Sequence, residues 1–531
     1  MSTVRTATYE LLRDLGLTTM FGNPGSTEEP FLTGFPDDFR YILGLHEAAV
    51  VSMADGYAQA SGQAAFINLH TAPGVGNAMG SIVTAWYNRA PLVLTAGQQT
   101  RQMLALEPWL VNLDAVDLPK PYVKWSDEPV RPEDVPGAIE RAYHIAMAPP
   151  RGPVFVSVPM DDWAVPASPR APRRVESQAC VRVQLLEDLA ADLNAARHPA
   201  LVVGGGVDRG GAWEAAVELA ERLQAPVWEA PAPERASFPQ DHPLFQGALP
   251  LAIAPLAKAL AEHDLVLVAG ASIFRYYPYV PGDHLAEGTR LVQITDDPDE
   301  AARAPVGTSL VGDVGIAVRR LASRVDQATR KPPSPRAAPS QPESGNPISV
   351  AFAMHEVAAA MPADTVITEE SASMRAQFYD QFRITRPNSY FATASGGLGF
   401  AMPAAVGVSL ARPDQPVLSI VGDGSAMFGI HALWTAAQHR CPIVYVVMNN
   451  GGYSILKAFA EFQRTPGVPG LDLPGLDIVT VAQGLGVNAR RVTEAADLPE
   501  ACRSAFAEAL SQRRPVLLDV VVDSTVPKVF G

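Results

Sequence analysis

Two short stretches carry the residues best suited to chemistry. Gly422-Asp423-Gly424-Ser425 closes the apolar run Val417 to Val421, and Asn449-Asn450-Gly451-Gly452 closes the apolar run Ile443 to Met448. Between them lies a helical pattern with Ile430, Leu433, Trp434 and Ala437 on one face, so the whole reads as strand, helix, strand. A crossover of this kind is right-handed and brings the carboxyl ends of two parallel strands to one sheet edge, where Asp423 and Asn450 meet. Asp423 offers a charged oxygen, Asn450 an amide oxygen, and the glycines after it, Gly452 among them, a bare carbonyl. Such a donor set suits a hard divalent ion whose other positions stay open to phosphate oxygens. Gly422 and Gly424 admit a close backbone approach, and the next helix N-terminus favours negative charge. Asp-Gly turns are common in loops, and the second polar strand end is what gives the first its meaning. The ligand implied is a diphosphate bridged by magnesium.

The elements that must position these residues alternate along the whole chain. In the first part Thr19–Phe21, Phe66–Leu69, Leu92–Thr95 and Val154–Ser157 read as strands, with helical stretches Ala48–Gln59 and Val75–Trp86 between them. Its strand ends carry loops rich in polar groups: Phe21-Gly22-Asn23-Pro24-Gly25-Ser26, Leu45-His46-Glu47 and Asn68-Leu69-His70-Thr71. A Pro/Arg-rich connector, Pro166 to Arg174, leads to a second α/β region near Val181. There Pro199–Gly206 and Ala212–Leu223 read as strand, Gly-rich turn and helix, followed by strands at Asp264–Gly270 and Leu291–Ile294. A GGG turn by itself is explained by packing more readily than by a bound nucleotide. The Pro- and Ser-rich stretch from Asp326 to Pro347 cannot build a core. The expected fold is therefore α/β, three doubly wound domains with parallel sheets, at 1–170, 181–325 and 348–531 with a linker at 326–347. The first and third should share an architecture.

A chain of 531 residues is too long for one core and agrees with three domains. Net charge −15, without a Lys/Arg block, argues against a nucleic-acid footprint, and nothing in the charge pattern suggests attraction to anionic lipid. Cys180, Cys441 and Cys502 are scattered and lack metal-ligand spacing. No secretory h-region and no run long enough to span a bilayer stands in the sequence, so a cytoplasmic enzyme of small molecules is expected.

Longer motifs then narrow the reading. FGNPGSTEEPFLTGFPDDFRYILGLHEAAVVSMADGYAQASG with FINLH, and GGLGFAMPAAVGV, VGDGS, ALWTAAQ and MNNGGY, resemble benzoylformate decarboxylases among the thiamine-diphosphate enzymes over nearly the whole chain. The resemblance implies pyrimidine-binding, middle and diphosphate-binding domains. It also implies a homodimer with active sites shared between subunits, typically paired into a homotetramer. Thiamine diphosphate would be the cofactor, with Mg2+ or Ca2+ on Asp423, Asn450 and Gly452. Glu47 would hydrogen-bond the aminopyrimidine and help remove the cofactor's C2 proton, and Leu398 would wedge under the cofactor. Asn23, Gly25, Ser373, Gly422, Gly424, Ser425 and Tyr453 complete the cofactor-binding set it implies. Ser26 would bind the carboxylate of a 2-keto acid and His70 would move a proton, giving non-oxidative decarboxylation of an aryl or apolar keto acid to aldehyde and CO2.

The sequence departs from that family at several positions. Tyr277 stands where a second active-site histidine is expected, and a phenol with an ordinary pKa near 10 donates a hydrogen bond but shuttles protons poorly at neutral pH. Ile455 and Ala392 exchange bulk across the expected acyl pocket, whose wall Leu456 and Phe459 keep apolar, and Phe428 lacks a hydroxyl expected at the diphosphate. Carboligation or cleavage of 2-hydroxy ketones on the same scaffold is the alternative activity. A nucleotide- or flavin-binding regulatory protein on degenerate α/β domains is the reading from another class.

Overall fold

A computed structural model describes residues 2–339 and 341–528. Three six-stranded sheets organise them, and every strand pairing detailed below is parallel. Numbered in chain order within its own sheet, the first sheet has the spatial order 2-1-3-4-6-5, with strands Thr19–Gly22, Arg40–Leu43, Ala65–Leu69, Leu92–Gln98, Ser126–Asp127 and Val154–Pro159. The third, beginning at Val366–Glu370 and ending at Val516–Val521, repeats the same order. This is the shared architecture expected of the first and third parts of the chain.

The central strands explain themselves chemically. Val417–Gly422 and Ile443–Asn449 are β-branched and aliphatic almost throughout, and both faces are buried, as befits strands covered by helices on each side. Their register pairs Val417 with Ile443 and Gly422 with Met448, so the two polar loops leave the same sheet edge. The intervening helical stretch differs from its expected form. It is two helices, Asp423–Gly429 and Ala432–Gln438; Ile430 and Leu433 are buried, but Trp434 and Ala437 are only half-buried, and Thr435 and Ala436 take the inner positions. The break at Ile430-His431 rotates the second helix out of phase with one continuous stripe.

By compactness the chain forms two units. The first joins Met1–Glu176, Gln341–Phe378 and Ser395–Gly531; the second joins Ser177–Ser340 with Tyr379–Ala394. Within the first, helices Glu47–Ser61 and Ala401–Ala411 cross at glycines. A Cβ on Gly56 would lie 2.3 Å from the Ala404 carbonyl oxygen, and one on Gly407 would lie 1.9 Å from that of Met53. The helix Ala401–Ala411 is buried on nearly all sides, which its uniformly apolar sequence requires.

The second unit contains the sheet with spatial order 3-2-1-4-5-6, that of a dinucleotide-binding fold. Its Gly-rich turn is occupied from within. A Cβ on Gly205 would meet Glu234 Oε1 at 2.1 Å, and that oxygen accepts from Arg209 Nη1 at 2.7 Å. Gly206 in turn is pressed against Gly270 Cα. Close packing therefore accounts for these glycines.

Candidate active site

Asp423 and Asn450 do meet at the sheet edge. The buried Asp423 carboxylate accepts from Gly424 N–H at 2.8 Å and from Gly452 N–H at 3.0 Å. The same Gly452 N–H also approaches Asn450 Oδ1 at 3.3 Å, while Asn450 Nδ2 donates to Ser454 Oγ at 2.8 Å. One amide thus spans both expected metal ligands. Burial raises the Asp423 pKa. Gly424 is dictated by Tyr453, whose ring would lie 2.4 Å from a Cβ there, whereas a Cβ on Gly422 would meet only Ser425 Oγ, at 3.9 Å. Among the described residues no group of three or more acidic, histidine or cysteine side chains is placed to hold a metal ion. A divalent cation would rest on one carboxylate, one amide oxygen and a backbone carbonyl, and these donors fit a cation whose shell is completed by diphosphate oxygens.

Beside this cradle, Glu370 at the end of strand Val366–Glu370 holds the loop that carries Leu398. Its carboxyl accepts from the N–H groups of Gly399, Phe400 and Ala401, at 2.7, 2.7 and 2.8 Å. Leu398 itself stays 36% exposed, although a leucine in so apolar a stretch reads as core. Ser373 is half-buried in the turn after the same strand, and Ser425 is half-buried in the first turn of its helix. Ile455 and Phe459 lie one turn apart on helix Ser454–Gln463, half-buried and buried, with Leu456 exposed beside them.

The first sheet assembles a second group. Glu47 begins helix Glu47–Ser61, which His46 caps by accepting from Ala48 N–H through Nδ1. His70 stands at the start of helix Thr71–Tyr87. Gly74, in that helix's first turn, separates the two: a Cβ there would be 3.4 Å from Glu47 Oε1 and 3.6 Å from His70 Cβ. Asn77 Nδ2 donates to Glu47 Oε2 at 3.1 Å. Ser26 is exposed, Asn23 half-buried, and Gly25 lies directly under the His70 ring. Sequence reasoning overlooked Glu28, buried and 2.8 Å from His70 Nδ1.

Tyr277 and Ala392 belong to the other unit. Tyr277 is 61% exposed, and Ala392 is fully enclosed with its N–H on the Glu234 carbonyl. Phe428, which lacks the expected hydroxyl, is exposed.

Doubly wound sheets of like order, one carrying an acid beside a histidine and the other bringing Asp423 and Asn450 to one edge, are the arrangement expected of a thiamine-diphosphate enzyme. Comparison with known proteins agrees: residues 2–117, 186–321 and 370–520 match the N-terminal TPP binding, central and C-terminal TPP binding domains of thiamine pyrophosphate enzymes. The chain belongs to this family. It is 48% identical to a benzoylformate decarboxylase of Pseudomonas aeruginosa, over 99% of this chain and 100% of that one. Among solved structures, it resembles a thiamine diphosphate-dependent 4-hydroxybenzoylformate decarboxylase of Rhodococcus jostii RHA1, with TM-score 0.96 and 48% identity over 99% of this chain and 100% of that one. A benzoylformate decarboxylase from Polynucleobacter necessarius is also similar, with TM-score 0.96 and 42% identity over 99% of each chain.

Proposed function

We propose that this protein decarboxylates benzoylformate or a closely related aryl 2-keto acid, in a reaction that depends on thiamine diphosphate and yields an aldehyde and CO2. The observation that carries this reading is the 48% identity to a benzoylformate decarboxylase over the full length. When bound, thiamine diphosphate supplies the electron sink for the charge left as CO2 departs. Magnesium is the cation assigned to Asp423, Asn450 and Gly452. Glu47 holds a proton against the aminopyrimidine, Ser26 donates to the substrate carboxylate, and His70 moves a proton at the carbon that loses it. Leu398 and the apolar wall Ile455, Leu456 and Phe459 exclude water from the acyl group.

A homodimer with shared sites belongs to the same reading. Within one chain the loop of Leu398 is fastened beside Thr84, by Thr84 Oγ1 to Ser395 Oγ at 2.9 Å. Thr84 lies at the far end of the helix that His70 begins, roughly 20 Å away at 1.5 Å per residue. A cofactor wedged by Leu398 therefore draws its Glu47 and His70 from a second copy. A tetramer of two such dimers and a cytoplasmic location complete the proposal; the latter is supported by three unpaired cysteines.

The test is CO2 release from benzoylformate, phenylpyruvate, pyruvate and branched-chain 2-keto acids, with thiamine diphosphate and magnesium present and then omitted. Cofactor-dependent turnover highest on an aryl acid is expected; turnover on none of them overturns the reading. Carboligation is a second reading, favoured by Tyr277 in place of histidine. Ligation of mixed aldehydes without any keto-acid decarboxylation would establish it instead.

A further inference from the structure

A proton-transferring histidine acts through one ring nitrogen, and what fixes the other decides which. On the side chain of Glu28, wholly enclosed in the turn after the first strand, four donors converge. Oε1 accepts from Gly97 N–H at 2.8 Å and from the Thr27 hydroxyl at 2.7 Å. Oε2 accepts from Gly25 N–H at 2.9 Å and faces His70 Nδ1 at 2.8 Å. The Thr27 oxygen is also 3.2 Å from Nδ1, but its proton is committed to Glu28. A carboxylate that receives three donors from elsewhere offers Nδ1 only acceptor oxygen, so Nδ1 carries the proton in this contact. The reacting nitrogen is then Nε2.

Two further features hold the ring in place. A Cβ on Gly25 would stand 2.2 Å from Nδ1, so any side chain there displaces the imidazole. Thr71, the next residue along from His70, adopts φ +44°, an outlier for a β-branched residue; it is fully buried, and its hydroxyl has no partner among the described residues. Strain of this kind persists only where the surroundings over-determine the backbone.

We propose that Glu28 is a positioning residue of the active site, holding His70 as the Nδ1–H tautomer so that Nε2 takes and gives the proton of the reaction. The inference rests on the reading of His70 above. In the proton-delivery step the Nε2–H bond breaks, a C–H bond forms at the carbon that bore the carboxylate, and imidazolium becomes neutral imidazole with Nδ1–H still on Glu28. Solvent returns the proton to Nε2.

The test is Glu28→Gln, whose NH2 takes the place of one oxygen and turns an N–H toward each of the two donors that oxygen now accepts, Nδ1 among them when the amide nitrogen lies at the Oε2 position. With that N–H toward Nδ1, the tautomer inverts and kcat falls on the order of 10²-fold or more, with KM and thiamine-diphosphate affinity little changed. In a His70→Ala background the same substitution costs nothing further. Ring 15N spectra of the full-length protein, with the His70 signals identified by their loss in His70→Ala, show the proton on Nδ1 in the parent and on Nε2 in Glu28→Gln. Multiplying losses in the double variant, or a parent His70 unprotonated at Nδ1, overturn the proposal. The spectra need no substrate: a protein inert toward benzoylformate with the expected switch refutes the activity and leaves Glu28 in its role. Should Glu28→Gln fail to fold, Gly25→Ala displaces the ring with Glu28 intact; parent-like kcat in that variant overturns the proposal equally.

Discussion

In the proposed reaction Glu47 is the acid that faces the aminopyrimidine. It opens a helix, is only half-buried, and touches Asn77 Nδ2 and the first turn of the His70 helix. A solvated first-turn carboxylate would contribute only a few tenths of a kcal/mol to stability through the helix dipole. Its removal should therefore be read in turnover. Glu47→Gln is expected to lose about 10² to 10⁴ of kcat while thiamine diphosphate still binds, as followed by quenching of tryptophan fluorescence. Full retained activity would withdraw Glu47 from the mechanism. Asp423 differs: it is buried, its pKa is raised by that burial, and its partners are backbone N–H groups.

Between elements, the helix crossing Glu47–Ser61 with Ala401–Ala411 decides how the acid-bearing domain meets the phosphate-binding one. Gly407→Ala would gain up to about 1 kcal/mol in helix propensity. It would also press a methyl into the Met53 carbonyl and the Tyr57 N–H, backbone atoms of a packed helix that cannot swing aside. Overpacking of about 1–3 kcal/mol should prevail, and the variant should melt several degrees lower. A midpoint at or above the parent's would mean that the helices part without cost.

The second unit supplies an element-scale pH effect. Glu229, at the end of strand Val227–Glu229, accepts from Ser237 N–H at 3.0 Å and Gln240 Nε2 at 3.0 Å, and burial pushes its carboxyl up to about 7 from an ordinary 4.5. The folded state keeps this proton where the unfolded chain has released it. Its contribution is thus full below the unfolded value and fades as pH rises through about 7. Glu229→Gln, which stays neutral, should flatten the fall in denaturant midpoint across that window. Glu370, also held near 7 by burial, keeps the slope from vanishing. An unchanged slope would mean that Glu229 is ionised in the fold.

For the whole molecule the decisive prediction is association. Trp109 is 94% exposed in a segment that also exposes Met103, Leu106, Leu110 and Leu113, and large apolar surface of this kind marks a contact between chains. Light scattering should give at least twice the 56.5 kDa of one chain. Trp109→Glu should weaken that association and depress turnover with it, since Glu47 and Leu398 would no longer serve one cofactor. An active monomer would overturn the shared site.

Much of this protein was legible before any coordinates. Apolar runs closed by Gly-Asp-Gly-Ser and Asn-Asn-Gly-Gly specify parallel strands ending at one edge, because the pattern of burial and the right-handed crossover leave a single arrangement. Asp423 beside Asn450 followed from that; Glu47 and His70 stood on strand-end loops of the first part of the chain, and only the family resemblance singled them out. Glu28 did not. In Ser-Thr-Glu-Glu-Pro it reads as a solvated turn acid, and only the fold brings Gly97 and His70, remote in sequence, to its two oxygens. The glycines of the middle sheet were read as packing, but which group packs there was hidden for the same reason, since only the fold brings Glu234 to Gly205. The break at Ile430-His431 was hidden as well, because a hydrophobic period reports which residues prefer burial, whereas the rotation of one short helix against the next is set by what packs on both.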